Sequence, residues 1–330
     1  MKNKNVRLKE IASELNLSIN SVSRALRDCS DISESTKNLV IQKAIELGYM
    51  PNIIAQSLKD EGIKSVALLI NNFRNLFFIS MYQELADQFA KNNYNFTIIY
   101  SKEKKVSKDI IKQCITQRVD AIISFFDYSK DSIQYAKYNN IVPIFLGKSK
   151  NNKDVSQVHT DDICGGMLAA NYLLNCYDIN HYIYIGYKEN QNSIDRFAAF
   201  KQTILERKPN AIVENIDFYE KTFNEEQRII ELVNKGELGV FGFNDELVYD
   251  ILKKMNTIIP SFRKVFPNFH IIGFDSLYNK INGLMDLTSI DFDFSLMSRE
   301  CINILNDYFF KRDNKPRCVL IPTTLHRRIY

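Results

Sequence analysis

Leu8-Lys-Glu-Ile-Ala-Ser-Glu-Leu-Asn-Leu-Ser-Ile-Asn-Ser-Val-Ser-Arg-Ala-Leu-Arg-Asp28 decides how the rest of the chain is read. Leu8, Ile11, Ala12 and Leu15 recur at helical spacing and make one apolar face. Asn16 stands where a tight turn needs a left-handed residue, which Asn tolerates better than most. Ser18 suits the N-cap of a second helix, in which Val22, Ala25 and Leu26 point inward. Ile19, Asn20, Ser21, Ser23 and Arg24 are left near or on the outer face. This is the layout of a helix-turn-helix, whose second helix enters the DNA major groove. Lys2, Lys4, Arg7, Lys9, Arg24 and Arg27 outnumber Glu10 and Glu14 around it, a local positive bias that favours phosphate contact.

A third helix is expected from Ser33, with Val40, Ile41, Ala44, Ile45 and Leu47 as its stripe. Leu47-Gly-Tyr-Met-Pro-Asn52 and Ile53-Ile-Ala-Gln-Ser-Leu58 follow. Taken together, Ile11-Ala12, Val22-Ser-Arg-Ala-Leu26, Gly48-Tyr49-x-Pro51-Asn52 and Ala55-x-x-Leu58 resemble the headpiece and hinge of the lactose-repressor/galactose-repressor (LacI/GalR) family, without a gap over roughly 58 residues. The resemblance implies a hinge helix that folds on DNA beside a partner copy, since two turns are marginal alone in water. It also implies that Leu58 wedges into the minor groove. Gln56 stands where the family often has a basic residue, Leu15-Asn16 where it usually has small residues, and Asp28 where Asn is common.

Composition is that of a globular protein. The chain has 330 residues, 45% hydrophobic and 25% charged, with a net charge of +4. No run approaches the ~20 apolar residues of a membrane span, and residues 1–7 are too polar for a secretory signal; a cytoplasmic location is expected. Cys29, Cys114, Cys164, Cys176, Cys301 and Cys318 form no C-x-x-C pair, and the four histidines show no metal-ligand spacing. No metal or other cofactor is expected.

From Ser65 the pattern changes. The run Val66–Ile70 suits a strand buried on both faces. Strands and helices then alternate: helix 79–92, strand 95–100, helix 107–117, strand 121–125, helix 131–138, strand 142–146. After 148–160 come helix 162–175, strand 182–185, helix 195–206, strand 212–218, helix 224–235, strand 238–242, helix 245–254, strand 270–274, strand 287–290, helix 294–310 and strand 318–321. Such alternation means right-handed βαβ units and parallel sheets. The expected fold is an all-α helix-turn-helix headpiece followed by an α/β two-lobed core with doubly wound parallel sheets, resembling periplasmic sugar-binding proteins. The expected domains are 1–50 (headpiece), 51–62 (hinge) and 63–330 (effector binding and dimerisation). Lobe 1 takes about 63–160 plus 292–322 and lobe 2 about 161–291; the return of the last helix and strand to lobe 1 comes from the resemblance.

Ligands of such sheets bind beyond the carboxyl ends of the strands. Arg196, Asn244 and Asp275 follow strands there and resemble the family's effector-contacting positions. Arg offers a planar pair of donors for adjacent hydroxyls and Asp an acceptor. Phe77, Phe78, Phe126, Phe218 and Phe292 lie at loops that could wall the site. Each has a plainer alternative. Asp275 could cap the next segment, Asn244 and Asp245 could start a helix, Arg196 could form a surface ion pair, and the phenylalanines could be core. Gly147 stands where some sugar-responsive members carry Asp.

These readings imply a transcriptional repressor bound as a homodimer to a pseudo-palindromic DNA operator. Ile19, Asn20, Ser21 and Arg24 are the base-side candidates, and Ser18, Ser23, Thr36, Tyr49 and Asn52 the phosphate candidates; Ala55 and Leu58 belong to the hinge. A carbohydrate or sugar phosphate between the lobes would control affinity; the alternative is a corepressor- or partner-dependent regulator that ligand strengthens. The absence of a heptad tail before Tyr330 suggests a dimer rather than a tetramer. Catalysis is disfavoured by the lack of a P-loop, a G-x-S-x-G elbow and a G-x-G-x-x-G fingerprint; Gly165-Gly166 falls inside an expected helix.

Overall fold

The computed structural model describes residues 6–49, 64–73, 75–150, 152–217, 225–277, 287–311 and 313–327. The chain divides into two compact units, residues 1–63 and 64–330.

In the first unit α1 is Leu8–Leu15, α2 Ile19–Leu26 and α3 Glu34–Glu46. Asn16 takes φ 53° and ψ 36°, the left-handed turn read from sequence. The Ser21 amide donates to Ser18 Oγ at 2.9 Å and the Thr36 amide to Ser33 Oγ at 3.3 Å, so α2 and α3 are both capped by serine. Ile11, Ala12, Val22, Ala25, Val40 and Ala44 form the core, with Leu8, Leu15, Leu26 and Tyr49 packed on it. The expected stripe of α3 is corrected. Lys37, Val40 and Ala44 are buried, whereas Ile41 and Ile45 are exposed. Each lies one residue, about 100° of turn, past a buried position, and three helices are too few to cover both faces. The phosphate candidate Asn52 and the hinge candidates Ala55 and Leu58 lie outside the described residues.

The second unit contains two six-stranded sheets. The first has β1 (Ser65–Ile70), β2 (Asn95–Tyr100), β3 (Ala121–Ser124), β4 (Val142–Leu146), β5 (Ser156–Thr160) and β11 (Cys318–Ile321), in the order β11-β5-β4-β3-β1-β2. The second has β6 (His181–Gly186), β7 (Ile212–Asp217), β8 (Leu238–Gly242), β9 (Phe269–Phe274), β10 (Ser289–Phe292) and β12 (Thr323–His326), in the order β12-β10-β9-β8-β6-β7. All pairings are parallel except β10 with β12. Helices α4 (Leu76–Lys91), α5 (Lys108–Thr116), α6 (Lys130–Tyr138), α7 (Asp162–Cys176), α8 (Gln191–Arg207), α9 (Glu225–Val233), α10 (Asp245–Ile258), α11 (Phe262–Val265) and α12 (Phe294–Phe310) connect them. Central strands such as β1, β4 and β8 are apolar on both sides because helices cover both faces.

The chain passes between sheets three times: from β5 through α7 to β6, from β10 through α12 to β11, and across Pro322 from β11 to β12. β11 pairs with β5, Cys318 opposite Gln157. Strand β12 was not foreseen in sequence, being four residues with two adjacent threonines and no clean alternation. Strand β10 runs 289–292 rather than 287–290, so Phe292 ends the strand. Helix α8 begins at Gln191, capped by Asn190, which places Arg196 in its second turn instead of at its opening. The polar run Asn190-Gln-Asn-Ser193 carries no apolar period and hid that first turn.

Candidate functional site

The carboxyl ends of both sheets converge on a cavity of about 170 Å³, smaller than the ~300–1,000 Å³ of drug-sized pockets. From the first sheet it takes Phe125, Leu146, Gly147, His159 and Thr160, with Asn75, Phe77 and Phe78 from the start of α4. From the second it takes Asn190, Asn192, Arg196, Phe243, Asn244, Asp275 and Phe292.

Arg196 is 5% exposed. Its Nε donates to Asp162 Oδ1 at 2.7 Å and its Nη1 to the Phe243 carbonyl oxygen. The guanidinium lies 3.3 Å from the Phe274 ring centroid and 4.6 Å from that of Phe243, a cation–π arrangement that replaces part of its lost hydration. Asp162 is also accepting: Thr160 Oγ1 donates at 3.0 Å and Asn192 Nδ2 at 2.7 Å. A buried charge pair is tolerable only when its remaining valences are met in this way. Two of the five guanidinium donors are engaged with protein in these bonds, and Arg196 also lines the cavity.

The close approach of α7 to α8 sets this geometry. A Cβ on Gly166 would stand 2.4 Å from the Arg196 carbonyl oxygen, and one on Gly165 would stand 2.5 Å from the Phe274 ring. Gly165-Gly166, set aside in sequence as no dinucleotide fingerprint because it falls inside a helix, is therefore what lets the arginine and its ring platform pack. The sequence signal was two adjacent glycines inside an otherwise good helical pattern.

Asp275 holds φ 94°, a sparsely populated conformation for a residue with a Cβ, and its amide donates to the Ile290 carbonyl at 2.8 Å. Asn244 caps α10, accepting from the Leu247 amide at 3.0 Å, and also borders the cavity. Its neighbour Asp245 is fully buried, accepting from Ser289 Oγ at 2.6 Å and the Leu277 amide at 2.7 Å, which is a structural role. The aromatic wall links the lobes: Phe77 contacts Phe125 and Phe294 at 5.6 and 5.5 Å, and Phe292 contacts Phe294 at 4.8 Å.

Of the sequence-derived ligand candidates, Phe77, Phe78, Arg196, Asn244, Asp275 and Phe292 meet at the cavity. Phe126 does not. It is buried in the core cluster of Leu69, Ile110 and Tyr128, because neighbouring residues of extended chain point to opposite faces and Phe125 takes the cavity side. Phe218 lies outside the described residues. Asn75, Asn190, Asn192, His159 and Phe243 were missed in sequence. Asparagines before helices read as caps, and Asn75 and Asn190 are caps as well. Polar contacts also cross the cleft: Lys148 Nζ pairs with Asp195 at 2.5 Å, and Asn75 Nδ2 donates to Glu246. Burial, and then the charge of Asp250, push the Glu246 carboxyl above its ordinary range.

On the headpiece, Ile19 and Asn20 are exposed and Ser18, Ser21, Ser23 and Arg24 lie along the same part of α2. Ser18 and Thr36 are engaged in capping hydrogen bonds, and Tyr49 leans on the core, where burial raises its hydroxyl pKa.

Residues 7–52 match the sequence profile described as "Bacterial regulatory proteins, lacI family". The chain is 22% identical to the HTH-type transcriptional repressor PurR of Haemophilus influenzae over 93% of its own length and 92% of that protein's. The match makes this headpiece a lacI-family one. Another relative, the ribose operon repressor of Halalkalibacterium halodurans, is 24% identical over 82% of this chain and 80% of its own. With the HTH-type transcriptional regulator RegA of Clostridium saccharobutylicum identity is 27%, over 60% of this chain and 61% of that one. Among solved structures, the Lac repressor bound to ONPG superposes with a TM-score of 0.81 at 18% identity, over 98% of this chain and 99% of that one. A LacI family regulator of Enterococcus faecium with bound ribose gives 0.63 at 21% identity, over 81% and 98%. These likenesses establish the fold, a helix-turn-helix headpiece and a two-lobed core; all the relatives named are transcriptional regulators.

Proposed function

We propose that the protein is a cytoplasmic, sequence-specific transcriptional repressor that binds a pseudo-palindromic operator as a homodimer. A small carbohydrate between the lobes controls its affinity. The observation that carries this reading is the cavity itself. A buried arginine held on an aromatic platform, a strained aspartate and several asparagines surround a small aromatic-walled space. That donor and acceptor set suits a polyhydroxylated ligand, and structurally similar regulators have been solved with bound ribose or bound ONPG. Ligand acts through its differential affinity for open and closed lobes, which Lys148–Asp195 and Asn75–Glu246 join across the cleft.

Dimerisation is supported by β2, an edge strand that exposes Phe96, Ile98 and Tyr100, with Phe73 stacked on Tyr100 at 5.8 Å. On DNA, Arg24, Asn20, Ser21 and Ile19 face bases, Ser18, Ser23, Tyr49 and Asn52 approach phosphate, and the hinge residues Ala55 and Leu58 enter the minor groove. Asp275→Asn tests the ligand reading because it removes one charge without changing size. Effector response is lost and operator affinity without effector is retained; a normal dose response removes Asp275 from the site.

A further inference from the structure

We propose that Asp31 is a positioning residue that presents Arg24 to a guanine, so that base preference at one operator position depends on a residue that touches no base. The inference rests on the reading of α2 as the base-facing helix. Arg24 Nε donates to Asp31 Oδ1 at 3.2 Å and Nη2 lies 2.6 Å from Asp31 Oδ2. The carboxylate therefore grips the guanidinium by its side edge. Five N–H groups are available on the fork. The Nε–H and the inner Nη2–H are taken; the outer Nη2–H and both Nη1–H remain. The end-on pair, Nη1 with Nη2, is one of the two parallel-donor edges that fit guanine O6 and N7.

Asp31 is itself held in place. Ile32, next to it, packs on the headpiece core, and its amide donates to the Cys29 carbonyl at 3.2 Å. The Cys29 amide returns to the Arg24 carbonyl at 3.1 Å, and Ser33 caps α3. A loop pinned at these points fixes the carboxylate, and the carboxylate fixes a side chain that is otherwise rich in rotamers. The pair is also close to neutral, so Arg24 adds little to the phosphate field. Each partner favours the charged form of the other, holding the Asp31 carboxyl below and the Arg24 guanidinium above their ordinary ranges.

The test selects binding sites from randomised duplexes with the full chain and its Arg24→Ala, Asp31→Asn and Asp31→Glu variants, each checked for an unchanged melting temperature. The native protein selects guanine at one position of each half-site, and Arg24→Ala loses it. Asp31→Asn lowers the preference for that base about tenfold and raises binding to unrelated duplex with a salt slope steeper by about 0.9. Asp31→Glu restores much of the preference. A merely structural ion pair would shift the melting temperature and leave base preference alone. If Arg24→Ala loses the guanine and Asp31→Asn retains it at full strength, the proposal is overturned while the α2 reading stands. If Arg24→Ala loses no position, the base-facing reading fails and the proposal with it.

Discussion

Gly166→Ala is the substitution that probes how the arginine is positioned. In an open helix this change stabilises by about 1 kcal/mol, the difference in helix propensity. Here the added Cβ would meet the Arg196 carbonyl oxygen at 2.4 Å, Ala199 Cβ at 3.0 Å and the Phe200 amide nitrogen at 3.1 Å. Two of the three are backbone atoms that cannot swing aside, so α7 and α8 must part. Overpacking of this kind costs ~1–3 kcal/mol, and a backbone clash belongs at the upper end. The net effect is a loss of about 2 kcal/mol, or a fall of roughly 4–8 °C in Tm. The displaced α8 carries Arg196 off its alignment with Asp162 and the cavity. Misaligning one charge-assisted hydrogen bond, worth ~1.5–3 kcal/mol, weakens effector binding on the order of tenfold or more. Differential scanning calorimetry and effector titration by calorimetry measure the two effects. Operator binding without effector is unchanged, the headpiece being a separate unit. A variant with raised Tm and native effector affinity would refute the close-packing argument.

Three further outcomes are expected. The Lys37 ammonium is buried against Asp28 and Glu34, at 2.6 and 2.8 Å, and their hydrogen bonds raise its pKa from 10.5 to about 12. Its contribution to headpiece stability is full below pH 10.5 and is lost as pH rises through 12; circular dichroism of Lys37→Met should lack that alkaline loss. Phe96→Lys places a charge on the open face of β2, and sedimentation should show monomers with operator affinity reduced about 10²-fold by lost bivalency; a native dimer would place the interface elsewhere. Leu58→Ala should weaken specific operator binding with effector binding intact, and unchanged operator affinity would remove the minor-groove wedge from the account.

The βα alternation was legible because each central strand is a short apolar run bounded by polar loops, as in Leu238–Gly242 and Val142–Leu146, whose limits agree with the structure. The headpiece turn was legible for a local reason: Asn16 and Ser18 satisfy backbone demands that few residues meet. What was not legible is tertiary. Whether Phe125 or Phe126 meets the cavity depends on the register with which β3 ends, a one-residue question that flips sides. Ile41 and Ile45 of α3 look like core in a helical pattern, but only packing decides that Val40 and Ala44 are covered and these two are not. The exchange of β12 into the second sheet is a long-range pairing with no local signal.

The central claim is a DNA-binding protein governed by a ligand between its lobes. Its most direct test titrates the purified chain against the palindromes upstream of its own gene and its neighbours, with and without a panel of neutral sugars and sugar phosphates. The account predicts a salt-sensitive complex with a Kd on the order of nanomolar, loosened by one compound of the panel; tightening by that compound would assign the corepressor mode. Binding of every palindrome at only the level of unrelated DNA, in all conditions, would contradict it.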